Sequence, residues 1–159
     1  MLMLLFHVGD NLYALDSSQV VEVLPMVVLR KIHHVPDYVA GVFNYRGTIV
    51  PVIDLCHLIQ GTACLSRFST RIIMVKYPAK DGEHHHLGLM AERVTETLNR
   101  PDLDPKNALP VNDVPYFGEM FMDELGMIQR IHWEHLITEV EHASLLAGGN
   151  IQTNGASSN

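Results

Sequence analysis

Short apolar runs broken by Gly, Asp, Asn and Pro fill most of the chain, a pattern of short strands and tight turns. Leu4 to Val8 and Leu12 to Leu15 flank Gly9-Asp10-Asn11 and predict a hairpin. Asp16-Ser17-Ser18 can start one helical turn, and the β-branched run Val20 to Leu24 predicts a third strand ending near Pro25. Pro36-Asp37-Tyr38 predicts a turn or the first turn of a short helix. Gly41 to Tyr45 and Thr48 to Ile53 predict a second hairpin hinged at Arg46-Gly47, followed by a short helix capped by Asp54 and ended by Gly61. Val42, Val50, Val52, Ile53 and Leu55 are its expected core residues.

The pattern restarts after Ser69. Strands are expected over Thr70 to Tyr77, Leu87 to Ala91 and Val94 to Leu98, with Pro78 to His86 as a polar loop. Prolines 101, 105, 110 and 115 argue for a loop from Asn99 to Pro115. Two more strands fit within Tyr116–Met122 and Gly126–His132, then a helix from about Trp133 to Leu146. Beyond Gly148 the Gly, Asn, Ser and Thr tail predicts disorder.

Two stretches of the first half each lie over the second without an internal gap. Tyr13-Ala14-Leu15 through Leu24 falls on Leu87-Gly88-Leu89 through Leu98, and Val42 to Ile59 falls on Met120 to Ile137. Repeated short strands with turn signals point to two small barrels, not a βαβ sheet.

At 159 residues the chain suits one compact unit, or two small lobes sharing a core, large enough to need no metal or disulfide. A net charge of −7 with scattered Lys and Arg argues against nucleic acid as a partner. Two cysteines, Cys56 and Cys64, make no disulfide framework, and no apolar stretch is long enough for a membrane span. These features predict a cytoplasmic protein with reduced thiols.

Catalytic chemistry has little to start from. Cys56-His57 with Cys64 falls short of the four ligands of a structural zinc site. The acidic residues at 102, 104, 113, 123 and 124 form no paired arrangement that the sequence can fix, and neither a phosphate-binding glycine loop nor a nucleophile elbow is present. No enzyme, cofactor or functional metal is expected. The alternative is a small ligand- or metal-sensing barrel that uses His84, His85 and His86.

The run Val35-Pro36-Asp37-Tyr38-Val39-Ala40-Gly41-Val42-Phe43-Asn44-Tyr45-Arg46-Gly47-Thr48-Ile49-Val50-Pro51-Val52-Ile53-Asp54-Leu55 resembles the central signature of CheW-like domains. That signature has a Pro, then Gly-Val-x-Asn-x-Arg-Gly, then an apolar strand with Pro and a final Asp-Leu. The first hairpin, Val20-x-Glu22 and Gly88-Leu89 leading to Glu92-Arg93-Val94 agree with it. The resemblance covers roughly residues 3 to 140. Departures are Tyr45, where Leu is common, Gln129-Arg130 in a usually apolar strand, the loosely matched Tyr116 to Met122, and the histidine run.

The resemblance implies an all-β fold of two SH3-like five-stranded barrels on a shared apolar core, with short helices and a C-terminal helix. The domain is expected over 1–147, with lobes at about 12–68 and 70–132 completed by the terminal segments, and a tail at 148–159. It implies a stand-alone, non-enzymatic adaptor that binds the cytoplasmic tip of a chemoreceptor and the regulatory domain of a CheA-type histidine kinase. Such a protein reaches the membrane only through receptors. Matching positions suggest receptor contact at Val20 and Glu22, whose side chains two residues apart on a strand share a face. Alone, they are also what a half-buried strand looks like. Arg46 is the expected partner contact, where pattern alone would give a solvated hairpin residue. Asn44 and Gly47 serve its turn and complete that partner site. Met26-Val27-Val28-Leu29 is the expected exposed apolar patch, with Met26 and Val28 as its contacts.

Overall fold

The computed structural model describes residues 2–65, 69–78, 82–94, 97–99 and 113–136. Strands β1 (Leu2–Val8) and β2 (Asn11–Asp16) form the first hairpin, and a 3-10 turn at Ser17–Gln19 leads into β3 (Val20–Pro25). Then come β4 (Val39–Tyr45), β5 (Thr48–Asp54) and helix α1 (Leu55–Gln60). The second half supplies β6 (Arg71–Pro78), β7 (His84–Ala91), β8 (Thr97–Asn99), β9 (Phe117–Asp123) and β10 (Gly126–Ile131), then a 3-10 turn at Trp133–His135. The helix expected beyond Trp133 lies mostly outside the described residues, as do the tail and most of the proline-rich loop. Among the described residues no helix is long and apolar enough to cross a membrane.

The strands make two five-stranded sheets in the orders β8-β1-β2-β10-β9 and β3-β6-β7-β5-β4. The fold is all-β as expected and consistent with SH3-like barrels, although neither sheet closes on itself. Under the overlay β2 corresponds to β7, β3 to β8, β4 to β9 and β5 to β10, and β1 corresponds to β6 through the matching pairs Leu4/Leu15 and Ile73/Leu89. The two orders then become the same order. Register agrees as well: Val52 pairs with Gly88 in one parallel ladder, and their counterparts Arg130 and Ala14 pair in the other. A chance match of apolar positions would not reproduce a parallel register.

Burial has three parts. Leu4, Phe6, Leu15, Leu55, Ile73, Val75, Leu87, Leu89, Ile131 and Trp133 form a core shared by both sheets. Ile72, Met74, Val50, Val52, Tyr45 and Met90 cluster on the other side of the β3–β7 sheet. Met3, Leu5, Ala14, Phe121 and Ile128 do the same in the β1–β10 sheet. Strand side chains alternate, so β1 and β6 each feed the shared core with one face and a private core with the other. That is why Met3-Leu4-Leu5-Phe6 and Ile72-Ile73-Met74-Val75 are unbroken apolar runs.

Two expectations need correction here. His84 to His86 belong to β7 and pair with Lys76, Tyr77 and Pro78 across the ladder, so they are not part of a polar loop. The run also gains ring contacts there, His85 on Tyr77 and His86 on Tyr45. Cys56 and Cys64 are joined as a disulfide, not free thiols. Asp54 draws them together: its carboxylate accepts from the backbone N–H of His57 in the first turn of α1 and from that of Cys64 in the following loop.

Candidate functional site

The β4–β5 hairpin turns through Arg46 and Gly47, both at positive φ (51° and 88°), as a type I′ turn requires. Glycine adopts this freely; for Arg46 the left-handed backbone costs roughly 1–2 kcal/mol. Asn44 offsets part of that cost by accepting the Gly47 N–H at 2.7 Å. Asn44 and Gly47 therefore hold the turn, and Arg46 stands at its tip.

Arg46 is anchored from below. Its Nη2 donates to Glu22 Oε2 at 2.9 Å and Oε1 at 3.1 Å, although its side chain stays 68% exposed. The Tyr45 hydroxyl donates to the same Oε1 at 2.9 Å. The guanidinium carbon lies 5.1 Å from the Tyr45 ring centroid, within cation–π range. Tyr45 itself is buried against Phe43 and His86. Burial raises its hydroxyl above the ordinary tyrosine value, and donation to Glu22 adds to the rise, so it stays a donor. His86 moves the other way: burial first, then Lys76 and Arg46, lower it toward the neutral imidazole.

Val20 does not join this cluster. The β3–β6 register shifts between Val20, opposite Val75, and Glu22, opposite Met74. Directly opposed residues point to the same side of a sheet. Val75 faces the shared core and Met74 the private one, so the bulge sends Val20 and Glu22 to opposite sides. The expectation that they share a face fails for that reason. The apolar residues exposed on β3 are Val21 and Val23.

The patch at Met26 to Leu29 also narrows. Met26, Val27 and Leu29 pack against the private core, and only Val28 points outward, 95% exposed. Arg30 bridges to Val42 on the open edge of β4, which pulls this segment onto the sheet. The three histidines do not converge either, because consecutive strand residues face opposite sides. His85 meets Tyr77 on the shared-core side and His86 meets Tyr45 on the other.

Tyr45 departs from the family pattern, and a tyrosine one residue before a hairpin cation is a usable sequence signal for this cluster. The second half has an apolar hairpin tip that the sequence pattern does not single out, where Met122, Leu125 and Met127 are 64%, 57% and 65% exposed.

The comparisons with known proteins agree with this architecture. The chain is 28% identical over 102 residues to chemotaxis protein CheW of Helicobacter pylori, covering 63% of this chain and 59% of that protein. It is 32% identical over 75 residues to chemotaxis protein CheW of Bacillus subtilis, covering 47% of this chain and 48% of that one. The matched regions thus span less than two thirds of these relatives' own length. The crystal structure of the scaffolding protein TtCheW from Thermoanaerobacter tengcongensis superposes with a TM-score of 0.66 at 27% identity, over 82% of each chain. The CheW-like domain matches residues 2–141, and the chain belongs to the CheW-like domain family.

Proposed function

We propose that this protein is a non-enzymatic adaptor that couples methyl-accepting chemoreceptors to a CheA-type histidine kinase in chemotaxis-like signalling. The observation that carries the reading is the Glu22–Tyr45–Arg46 cluster. A charged tip on a left-handed turn is held by a carboxylate and a buried tyrosine, within a CheW-like domain. Preorganisation of this kind lowers the entropy lost on binding and gives a protein partner a fixed cation to meet.

In this reading Arg46 and Glu22 contact the cytoplasmic tip of the receptor, and Asn44 and Gly47 keep the tip in register. Val28 adds an apolar contact supported by Met26, and Val20 supports β3 from the shared core. The kinase regulatory domain docks elsewhere on the two-sheet body. The protein acts on the cytoplasmic side and meets the membrane only through receptors. Several modest contacts within an array give the assembly its strength by avidity.

Calorimetric titration against a receptor cytoplasmic fragment and a kinase regulatory domain from the same system tests the proposal. Both should bind. Arg46→Ala should weaken receptor binding by about tenfold or more, equivalent to about 1.4 kcal/mol, and leave kinase binding unchanged. Failure of the native chain to bind either partner would refute the assignment.

A further inference from the structure

Cys56 and Cys64 lie in a corner that the adaptor reading does not use. Asp54 ends β5 and caps α1, Cys56 sits in the first turn of that helix, and Cys64 lies in the loop that returns toward β6. A carboxylate oxygen of Asp54 and the two sulfur atoms all lie within 4.8 Å of one another. Asp54 and Cys56 are buried, and Cys64 is half-buried. The carboxylate is held in place by backbone N–H groups, from His57 at 3.0 Å and from Cys64 at 3.0 Å. Oδ1 also takes the Cys64 N–H at 3.3 Å, so the lone pair left for a further ligand is on Oδ2. A cavity of about 410 Å³ opens onto the same corner, with Asp54, His57, Ala63, Lys31 and Asp37 on its wall.

We propose that, once the disulfide is reduced, Asp54, Cys56 and Cys64 form a three-ligand site for a thiophilic divalent ion, zinc above all. Two cysteines and a neighbouring imidazole were too few for a site on sequence alone; Asp54 is the additional ligand that the fold supplies. Zinc bonds of about 2.0–2.3 Å to oxygen and sulfur place tetrahedral ligand atoms roughly 3.3–3.8 Å apart. The Asp54 oxygen and both sulfurs lie within 4.8 Å of one another, and reduction permits the two sulfurs to separate and the three atoms to settle to that spacing. The fourth ligand would be water, which reaches Asp54 from the cavity.

The electrons balance with an external dithiol. It supplies two electrons and two protons to the Cys56–Cys64 bond and leaves as its own disulfide; the metal then displaces the two thiol protons to solvent. The three anionic ligands and the ion leave one net negative charge, and Lys31 and Asp37 both stand on the cavity wall nearby. Disulfide and metal use the same sulfurs, so the two states exclude each other. The site is independent of the adaptor reading and stands or falls separately from it.

The experiment uses the full chain without an affinity tag, reduced with a dithiol, freed of it under inert gas and titrated with cobalt(II). One equivalent should bind with a strong near-ultraviolet thiolate-to-cobalt band, and added zinc should abolish that band. The oxidised protein and the combined Cys56→Ser, Cys64→Ser variant should show no band. Asp54→Asn, which keeps an acceptor for the helix cap, should need about tenfold more metal. Absence of the band from the reduced native protein would overturn the site, as would equal zinc retention by the oxidised form. That control needs no variant. An Asp54→Asn titration superimposable on the native one would remove Asp54 from the ligand set and overturn the three-ligand assignment.

Discussion

The hairpin β4–β5 and its counterpart β9–β10 occupy equivalent places in two sheets of identical strand order, yet they present opposite chemistry. Tyr45, Arg46 and Ile49 of the first correspond to Asp123, Glu124 and Met127 of the second. The first tip turns through two residues at positive φ and carries a cation fixed by Glu22. The second places its positive φ one residue later, at Gly126 (φ 113°), and exposes Met122, Leu125 and Met127 around its acidic pair. The two sheets therefore share backbone order and parallel register, while their tips differ. A molecule built this way offers two unlike faces from one repeated frame.

The sharpest way to break the comparison lies at Gly41, whose counterpart is Glu119. A Cβ on Gly41 would sit 2.5 Å from the Arg30 carbonyl oxygen, and its φ is 146°. Glu119 pairs with Arg130 at 3.2 Å. Gly41→Ala should cost about 3 kcal/mol from backbone strain and overpacking, read as a lower urea midpoint. A loss under about 1 kcal/mol would mean that the Arg30 segment yields freely.

The private cores give a smaller contrast. Gly88 and Ala14 are counterparts, but a Cβ on Gly88 would meet Ile72 Cγ2 at 2.9 Å and Val52 Cγ2 at 3.0 Å. Both neighbours are stiff, β-branched methyls. Gly88→Ala should destabilise by about 1–3 kcal/mol, and Ala14→Gly by about 1 kcal/mol, the usual cost of glycine in a strand. Equal and negligible effects would show that the two sheets pack with the same slack.

How much of this was legible follows from the range of each signal. The Arg46-Gly47 turn and the Asp54 and Gly61 caps are set within a few residues, and periodicity and turn chemistry sufficed for them. The overlay of halves even contained the parallel pairing, since Val52/Gly88 and Arg130/Ala14 are the same pair twice. The bulge at Val20–Glu22 was hidden because it depends on the register against β6, fifty residues away in the chain. The strand placement of His84 to His86 was hidden because polar composition mimics a loop when one face is wet. The meeting of Asp54, Cys56 and Cys64 depends on backbone donors that no spacing rule encodes.

The Glu22–Arg46 pair sharpens the comparison at lower energy. Arg46 is largely exposed, so solvent screens the pair, and a double-mutant cycle with Glu22→Gln and Arg46→Met should give a stability coupling of about 0.3–1 kcal/mol. Met127→Ser in the other hairpin should alter stability by less than about 0.5 kcal/mol, because its side chain is already in water. A coupling well above 1 kcal/mol would make the charged tip a structural clamp and not a surface kept for partners.

The smallest effect separates the two halves by pH. His86 packs on Tyr45, while its counterpart Leu12 is apolar and packs on the private core of the other sheet. Burial, with Lys76 and Arg46 nearby, holds His86 below its ordinary value near 6.5. The unfolded chain therefore takes up this proton at higher pH than the folded one. Its contribution to stability is complete above about pH 6.5 and falls away as the pH drops through the lower folded value. His7 carries a lowering of the same sign, so some acid sensitivity remains without His86. His86→Phe keeps a ring against Tyr45 and removes the titration. Urea midpoints measured at about pH 7.5 and about pH 5.5 should fall more for the native protein than for this variant. Equal falls would place the acid sensitivity in His7 and the carboxylates, and the hairpin cluster would then be indifferent to proton uptake.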